Sequence, residues 1–136
     1  MGEVMARILI IDDDKDWLLM VTRLLEIAGH IPLPYLKPQS LLDEVERNMP
    51  DLIITDIMMP GVSGSAIYGK LREKGHSQVP VIVCSSTRLK VKNDDLLLFH
   101  CSKQDAPSML TEVVKTALKA ATGSDAPSQD QVTPNG

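Results

Sequence analysis

Aromatic side chains are scarce: one Trp, one Phe and two Tyr make up 3% of the 136 residues. The core must therefore be built from Ile, Leu, Val and Met. Cysteine is limited to Cys84 and Cys101, which excludes a disulfide framework and gives no zinc-ligand spacing. Both lie in apolar surroundings, so buried reduced thiols are expected. No apolar run approaches the ~20 residues of a membrane span, and the N-terminus carries no apolar signal core. A soluble cytoplasmic protein without a membrane partner is the expectation. There is no long basic block, and the net charge is −4. Non-specific nucleic-acid binding needs Lys and Arg to displace counterions, so no nucleic-acid partner is expected. What is present is an ordinary globular balance, 43% hydrophobic and 24% charged, at a length that predicts a single domain.

Apolar runs of two periodicities alternate along the chain. Residues 6–11 form a short β-branched run that stops at Asp12-Asp13-Asp14; this predicts a strand buried on both faces. Trp17, Leu18, Val21, Leu24, Leu25 and Ala28 then share one face of a helix, capped by Asp14 or Asp16 and ended by Gly29. His30 to Leu33 predicts a second strand. Pro32 and Pro34 each remove a ladder donor and confine it to a sheet edge. Leu41, Leu42, Val45 and Met49 mark a short helix with Ser40 as N-cap, and Asp51 to Thr55 a third strand ending at Asp56. Pro60, Gly61 and Gly64 mark a loop, and a third helix is expected from about Gly64 to Lys74. Pro80 opens a fourth strand, Val81–Cys84, followed by Ser85-Ser86-Thr87. Residues 88–96 carry only a weak helical pattern. Leu97 to Cys101 form a fifth apolar run, and a last helix spans Leu110 to Ala121. Residues 122–136 are rich in Gly, Ser, Pro, Gln and Asn and predict a disordered tail or linker after a domain at 1–121.

Strand and helix alternating in this way call for an α/β fold: a doubly wound, flavodoxin-like (βα)5 parallel sheet of order 2-1-3-4-5, with a short or irregular fourth helix. In such sheets ligands bind beyond the carboxyl ends of the strands. There the first strand offers Asp12 and Asp13, the third Asp56, the fourth Ser85, and the fifth is followed by Lys103. Strands one and three are neighbours in this order, roughly 4.8 Å apart, so Asp13 and Asp56 can reach one cation. Carboxylates that close repel unless a cation sits among them. A hard, oxygen-lined site that takes a phosphate oxygen suits Mg²⁺. Ser85 can hydrogen-bond a phosphoryl oxygen, and Lys103 can pair with another. Taken singly, each of these residues is most simply a turn residue, a cap or a surface charge. Their conjunction at one sheet edge is what points to phosphoryl chemistry.

The segment Ile8-Leu9-Ile10-Ile11-Asp12-Asp13-Asp14 resembles the opening of response-regulator receiver (CheY-like) domains of two-component signalling. Asp51 to Asp56 with the following Ile-Met-Met-Pro60-Gly61-Val-Ser-Gly64 is similar to that family's phosphorylation strand and loop, and Pro80 to Ser86 to its fourth strand. The resemblance implies that Asp56 takes a phosphoryl group from a sensor histidine kinase or histidine phosphotransfer protein. It implies that Asp12 and Asp13 organise Mg²⁺, with Asp13 the more direct ligand, and that the Met58 backbone carbonyl completes the protein's share of the metal shell. Ser85 is implied as the switch hydroxyl and Lys103 as the partner of Asp56 and then of the phosphoryl group. Output would pass to a downstream protein target, with no enzymatic turnover.

Three features depart from the family pattern. Gln104 stands where a proline after a cis bond is usual, and a trans bond is expected there. His100 stands at the normally aromatic switch position three residues before the lysine, where a partly exposed strand-end histidine is the simpler role. Only 18 positions separate Ser85 from Lys103, which shortens the fourth helix. Two other readings compete: a receiver-shaped interaction module that works without phosphorylation, and a haloacid-dehalogenase-type phosphatase using Asp12-Asp13-Asp14. The second leaves Asp56 and its Pro-Gly loop unexplained. The resemblance also implies that Met58 and Thr87 flank the path of a water attacking the phosphoryl group and so influence its lifetime.

Overall fold

The computed structural model describes residues 5–36, 41–56, 58–59, 62–63, 69, 71–76, 78–86 and 97–122. The elements are β1 (Arg7–Ile11), α1 (Lys15–Ile27), β2 (Ile31–Tyr35), α2 (Leu41–Asn48), β3 (Leu52–Asp56), β4 (Met58–Met59), β5 (Val62–Ser63), β6 (Val81–Ser85), β7 (Leu98–Ser102) and α3 (Ala106–Thr122). The five longer strands form one sheet in the order β2-β1-β3-β6-β7, and each adjacent pair is parallel. This is the flavodoxin-like order expected from the sequence. The tiny antiparallel pair β4–β5 lies where only a loop is expected. The Pro60, Gly61 and Gly64 positions, the Ser40 cap, Thr87, the fourth-helix segment 88–96 and the tail 123–136 lie outside the described residues, as does most of the third helix, of which Gly69 and Leu71–Glu73 are helical.

Residue alternation divides the sheet into two cores. Ile8 and Ile10 of β1, Leu52 and Ile54 of β3, and Ile82 and Cys84 of β6 point to one face. There they meet Trp17, Leu18, Val21 and Leu25 of α1 and Ala106, Leu110, Val114 and Ala117 of α3. Leu9, Ile11, Ile53, Val81 and Val83 point the other way, to Val45 of α2 and Leu71. Successive side chains of a strand face opposite sides, so a run apolar at every position requires helices on both. Residues in β1, β3 and β6 are buried at nearly every position.

The edge assignment of β2 holds for the stated reason. Ile31 N–H donates to the Ala6 carbonyl, and the Tyr35 carbonyl accepts from Asp12 N–H, so alternate residues of β2 face β1. Pro32 and Pro34 fall on the outward alternation, where a missing donor costs no ladder bond. Helix α1 starts at Asp14, whose carboxylate accepts from the N–H groups of Asp16 and Trp17. It ends in a Schellman turn: Gly29 N–H donates to Glu26, His30 N–H donates to Leu25, and Gly29 takes φ 91°, a conformation that favours glycine.

Two expectations are corrected. Met49 does not join the apolar face of α2. It follows the last helical residue with φ 49°, which swings its side chain outward to 69% exposure. Thr122 is the last residue of α3 rather than the first of a tail; Ala-rich sequence sustains the helix one residue further. No cis peptide bond occurs among the described residues, so the bond before Gln104 is trans, as expected.

Candidate functional site

The parallel order sets the tips of β1, β3, β6 and β7 side by side. β1 and β3 are in register up to Ile11 and Thr55, so the residues that follow, Asp12 and Asp56, emerge together. Asp56 pairs with Cys84, which places Ser85 one residue beyond it, and Ser85 pairs with Ser102, just before Lys103. Carboxylate oxygens of Asp12, Asp13 and Asp56 all lie within 4.8 Å of one another. Asp12 is fully buried, Asp56 half-buried and Asp13 exposed. The site is thus open on the Asp13 side and closed beneath by Asp12.

Lys103 supplies the cation that the described residues place among these carboxylates. Its Nζ lies 2.8 Å from Asp12 Oδ2 and 3.3 Å from Asp56 Oδ2. The backbone fixes this approach, because Lys103 N–H donates to the Ser85 carbonyl at 2.8 Å. Pairing with Asp56 is the contact the family resemblance implies; the shorter contact to Asp12 is not. Burial pulls the Lys103 ammonium toward neutrality, but Asp12 and then Asp56 outweigh it, and its pKa is raised. Burial raises the Asp12 carboxyl above its ordinary value, with the Asp56 charge adding to the rise; Lys103 and the Asp14 N–H oppose it without cancelling it.

Three carboxylates facing one ammonium leave an excess of negative charge. Asp12 Oδ1 accepts from Asp14 N–H at 2.9 Å. Oδ2 is buried and faces the Lys103 ammonium at 2.8 Å. Burying a carboxylate oxygen is costly, and the ammonium offsets part of that cost. The donors are hard oxygens within 4.8 Å of one another, so the residues fit a small divalent cation. Asp12, Asp13 and Asp56 would hold it.

Trp17, which sequence reasoning places only in the core, also stands against the site. Lys103 Nζ stands 5.0 Å from the centre of its ring, a cation–π contact of about 0.5–2 kcal/mol. The available signal was position: the chain's one Trp, in the first turn of α1, follows Asp13 by a single helical turn. Loading the carboxylates with a divalent ion weakens their hold on Lys103 and changes the field over the indole. Trp17 emission is therefore expected to change in a saturable way during a Mg²⁺ titration. An unchanged spectrum at ion concentrations where calorimetry registers binding contradicts this coupling.

The remaining candidates divide. Ser85 is buried at the tip of β6, beside Asp56 and bonded through its backbone to Lys103. Met58 lies two residues past Asp56 in β4. His100 is on the exposed face of β7, opposite to the inward Cys101, and the structure does not bring it to the carboxylates. Partial desolvation of its ring lowers its pKa, which disfavours a charged histidine at neutral pH.

Among the described residues, no helix is long and apolar enough to cross a membrane. Residues 8–116 match the family described as response regulator receiver domain. The chain is 25% identical over 127 residues to the protein named "Probable transcriptional regulator ycf27" of Guillardia theta, covering 88% of this chain and 49% of that one. It therefore spans about half the length of that relative. Among solved structures, the receiver domain of the hybrid histidine kinase CckA superposes with a TM-score of 0.68 at 27% identity, covering 82% of this chain and 98% of that one. The response regulator TrrA of Thermotoga maritima, in complex with Mg²⁺ and BeF, superposes with a TM-score of 0.66 at 25% identity, covering 83% of this chain and 99% of that one.

Proposed function

Because the chain belongs to the response regulator receiver domain family, we propose that it accepts a phosphoryl group on Asp56 in a Mg²⁺-dependent transfer. The observation that carries this reading is the convergence of Asp12, Asp13 and Asp56 within 4.8 Å, beside the Lys103 ammonium. An oxygen of Asp56 forms a bond to phosphorus while the bond from phosphorus to the donor breaks, and the donor leaves with the electron pair. For a phosphohistidine donor the leaving imidazole picks up a proton. Asp12 and Asp13 hold the ion, and we assign the Met58 carbonyl to the same shell. The ion, when bound, neutralises the phosphoryl oxygens so that a carboxylate can attack an anionic group. Lys103 then pairs with a phosphoryl oxygen, and Ser85 donates to another. The Mg²⁺–BeF complex of TrrA is in keeping with this chemistry in a related fold.

The phosphoryl donor in this reading is a sensor histidine kinase or a histidine phosphotransfer protein, and the output is a change in protein contacts at the β6–β7 side of the sheet. We take the receiver unit expected over residues 1–121 to run one residue further, to the end of α3 at Thr122. The ycf27 relative is named a probable transcriptional regulator; for this chain we propose action by protein contact rather than by touching DNA.

Incubating the protein with acetyl phosphate or phosphoramidate, with and without Mg²⁺, tests the proposal by intact mass. One added phosphoryl group that requires Mg²⁺ is expected. No gain from any donor favours the phosphorylation-independent interaction module. Continuous turnover of a generic phosphate ester favours a phosphatase.

The burial of Asp12 gives the metal reading a pH signature. Its folded pKa is raised, so its contribution to stability is fully present below its ordinary value of 3.8 and is lost as pH rises through the folded value. Mg²⁺ binds the ionised form, so its stabilisation grows over that same rise. At a hundredfold excess over Kd the gain at neutral pH is about 2.7 kcal/mol, an upward Tm shift on the order of 5–10 °C. Thermal melts near pH 4 should show little of it. An equal Mg²⁺ shift at both pH values contradicts the assignment of Asp12.

A further inference from the structure

Cys84 and Cys101 are directly opposite each other on the adjacent parallel strands β6 and β7. Register-matched residues of a parallel pair point to the same face, and both thiols lie in the core beneath α1 and α3. The Cys101 thiol donates to the Ser102 carbonyl at 3.6 Å. Neither has a part in the chemistry assigned to Asp56.

We propose that Cys84 and Cys101 are a reversible disulfide site, oxidised by hydroperoxides, that restrains the strand tips carrying Ser85 and Lys103. Neighbouring strands are roughly 4.8 Å apart, inside the Cα separation of about 4.4–6.8 Å that a disulfide spans. A disulfide needs its Cβ atoms about 3.5–4.5 Å apart, closer than the strand spacing, so the bond forms under strain and is readily reduced. Cys101 is the entry point: it retains 7% exposure where Cys84 has none. Its hydrogen bond from Cys84 favours the Cys101 thiolate, and the same bond together with burial keeps Cys84 protonated.

The steps balance. The Cys101 sulfur attacks one oxygen of hydrogen peroxide, the O–O bond breaks, and water leaves, giving a sulfenic acid. The Cys84 sulfur then attacks the Cys101 sulfur, losing its proton, and the second oxygen leaves as water. Two thiols and one peroxide yield one disulfide and two waters; a dithiol reductant reverses it. The next residue after Cys84 is Ser85, and Ser85 is tied to Lys103 through the 2.8 Å backbone bond. Drawing the strands together therefore shifts Lys103 against Asp12 and Asp56. This coupling rests on the metal-site reading above, whereas the disulfide itself does not.

The test treats the full chain with stoichiometric hydrogen peroxide, then alkylates it with iodoacetamide in denaturant. Loss of both alkylation sites in a monomer that is lighter by two hydrogens, with a peptide joining Cys84 to Cys101 and recovery on reduction, is the expected result. Two alkylatable thiols after peroxide, a sulfinic acid at a single cysteine, or an intermolecular dimer overturns the proposal. A calorimetric Mg²⁺ titration of reduced and oxidised protein reads the coupling, for which about a tenfold loss of affinity is expected on oxidation, as for other perturbations just outside a metal shell. A disulfide with unchanged Mg²⁺ affinity overturns the coupling alone. Absence of binding in the reduced protein is instead a failure of the metal site.

Discussion

Asp56→Asn is expected to remove phosphoryl acceptance while leaving the fold intact. The amide has the shape of the carboxylate but lacks its charge and is a poor nucleophile, so the loss should be on the order of 10²-fold or more. Asp56 lies at the tip of a strand whose preceding residues, Leu52 to Thr55, are all buried, and none of that packing depends on the charge. Its removal also relieves part of the repulsion among three carboxylates within 4.8 Å, so the metal-free variant should melt no lower than the parent, within a few degrees. Intact mass after incubation with acetyl phosphate and Mg²⁺ checks the first part, and a thermal melt the second. A variant that still gains a phosphoryl group puts the acceptor elsewhere.

Ile10→Ala should carry the largest stability cost of a single truncation near the site. Ile10 is completely buried, lies in β1 between Pro34 of β2 and Ile54 of β3, and packs in the core under α1 and α3. Removing its outer carbons from so confined a place costs about 2–5 kcal/mol, a large share of the roughly 5–15 kcal/mol that holds a domain of this size together. The urea midpoint should fall by about 1–2 M. Ile31→Ala, at 38% exposure on the edge strand, should cost about 1 kcal/mol or less. Similar costs for the two variants contradict the layered arrangement of helices over a central sheet.

The parts of this architecture that burial dictates could be read from the chain. β1, β3 and β6 are apolar at successive positions because helices cover both faces, and each run stops at a polar residue because it reaches the open edge. That is why Asp12, Asp13, Asp56 and Ser85 stand out. Pro32 and Pro34 disclose an edge strand because they cannot serve a central ladder. Features set by dihedrals or by long-range approach were hidden. Met49 fits the helical spacing, but its positive φ takes it out of the helix. The β4–β5 pair is too short to show an alternation. Lys103 lies closer to Asp12 than to Asp56, and its place over Trp17 joins residues 86 positions apart, which no local pattern encodes.

Calorimetric titration of the metal-free protein with Mg²⁺ at neutral pH, on the parent chain and on Asp12→Asn and Asp13→Asn, probes the convergence of carboxylates most directly. One ion per chain should bind the parent, and each substitution should weaken it by about tenfold or more. Equal affinity in all three proteins, or no saturable binding in the parent, would mean that these strand tips do not form a metal site.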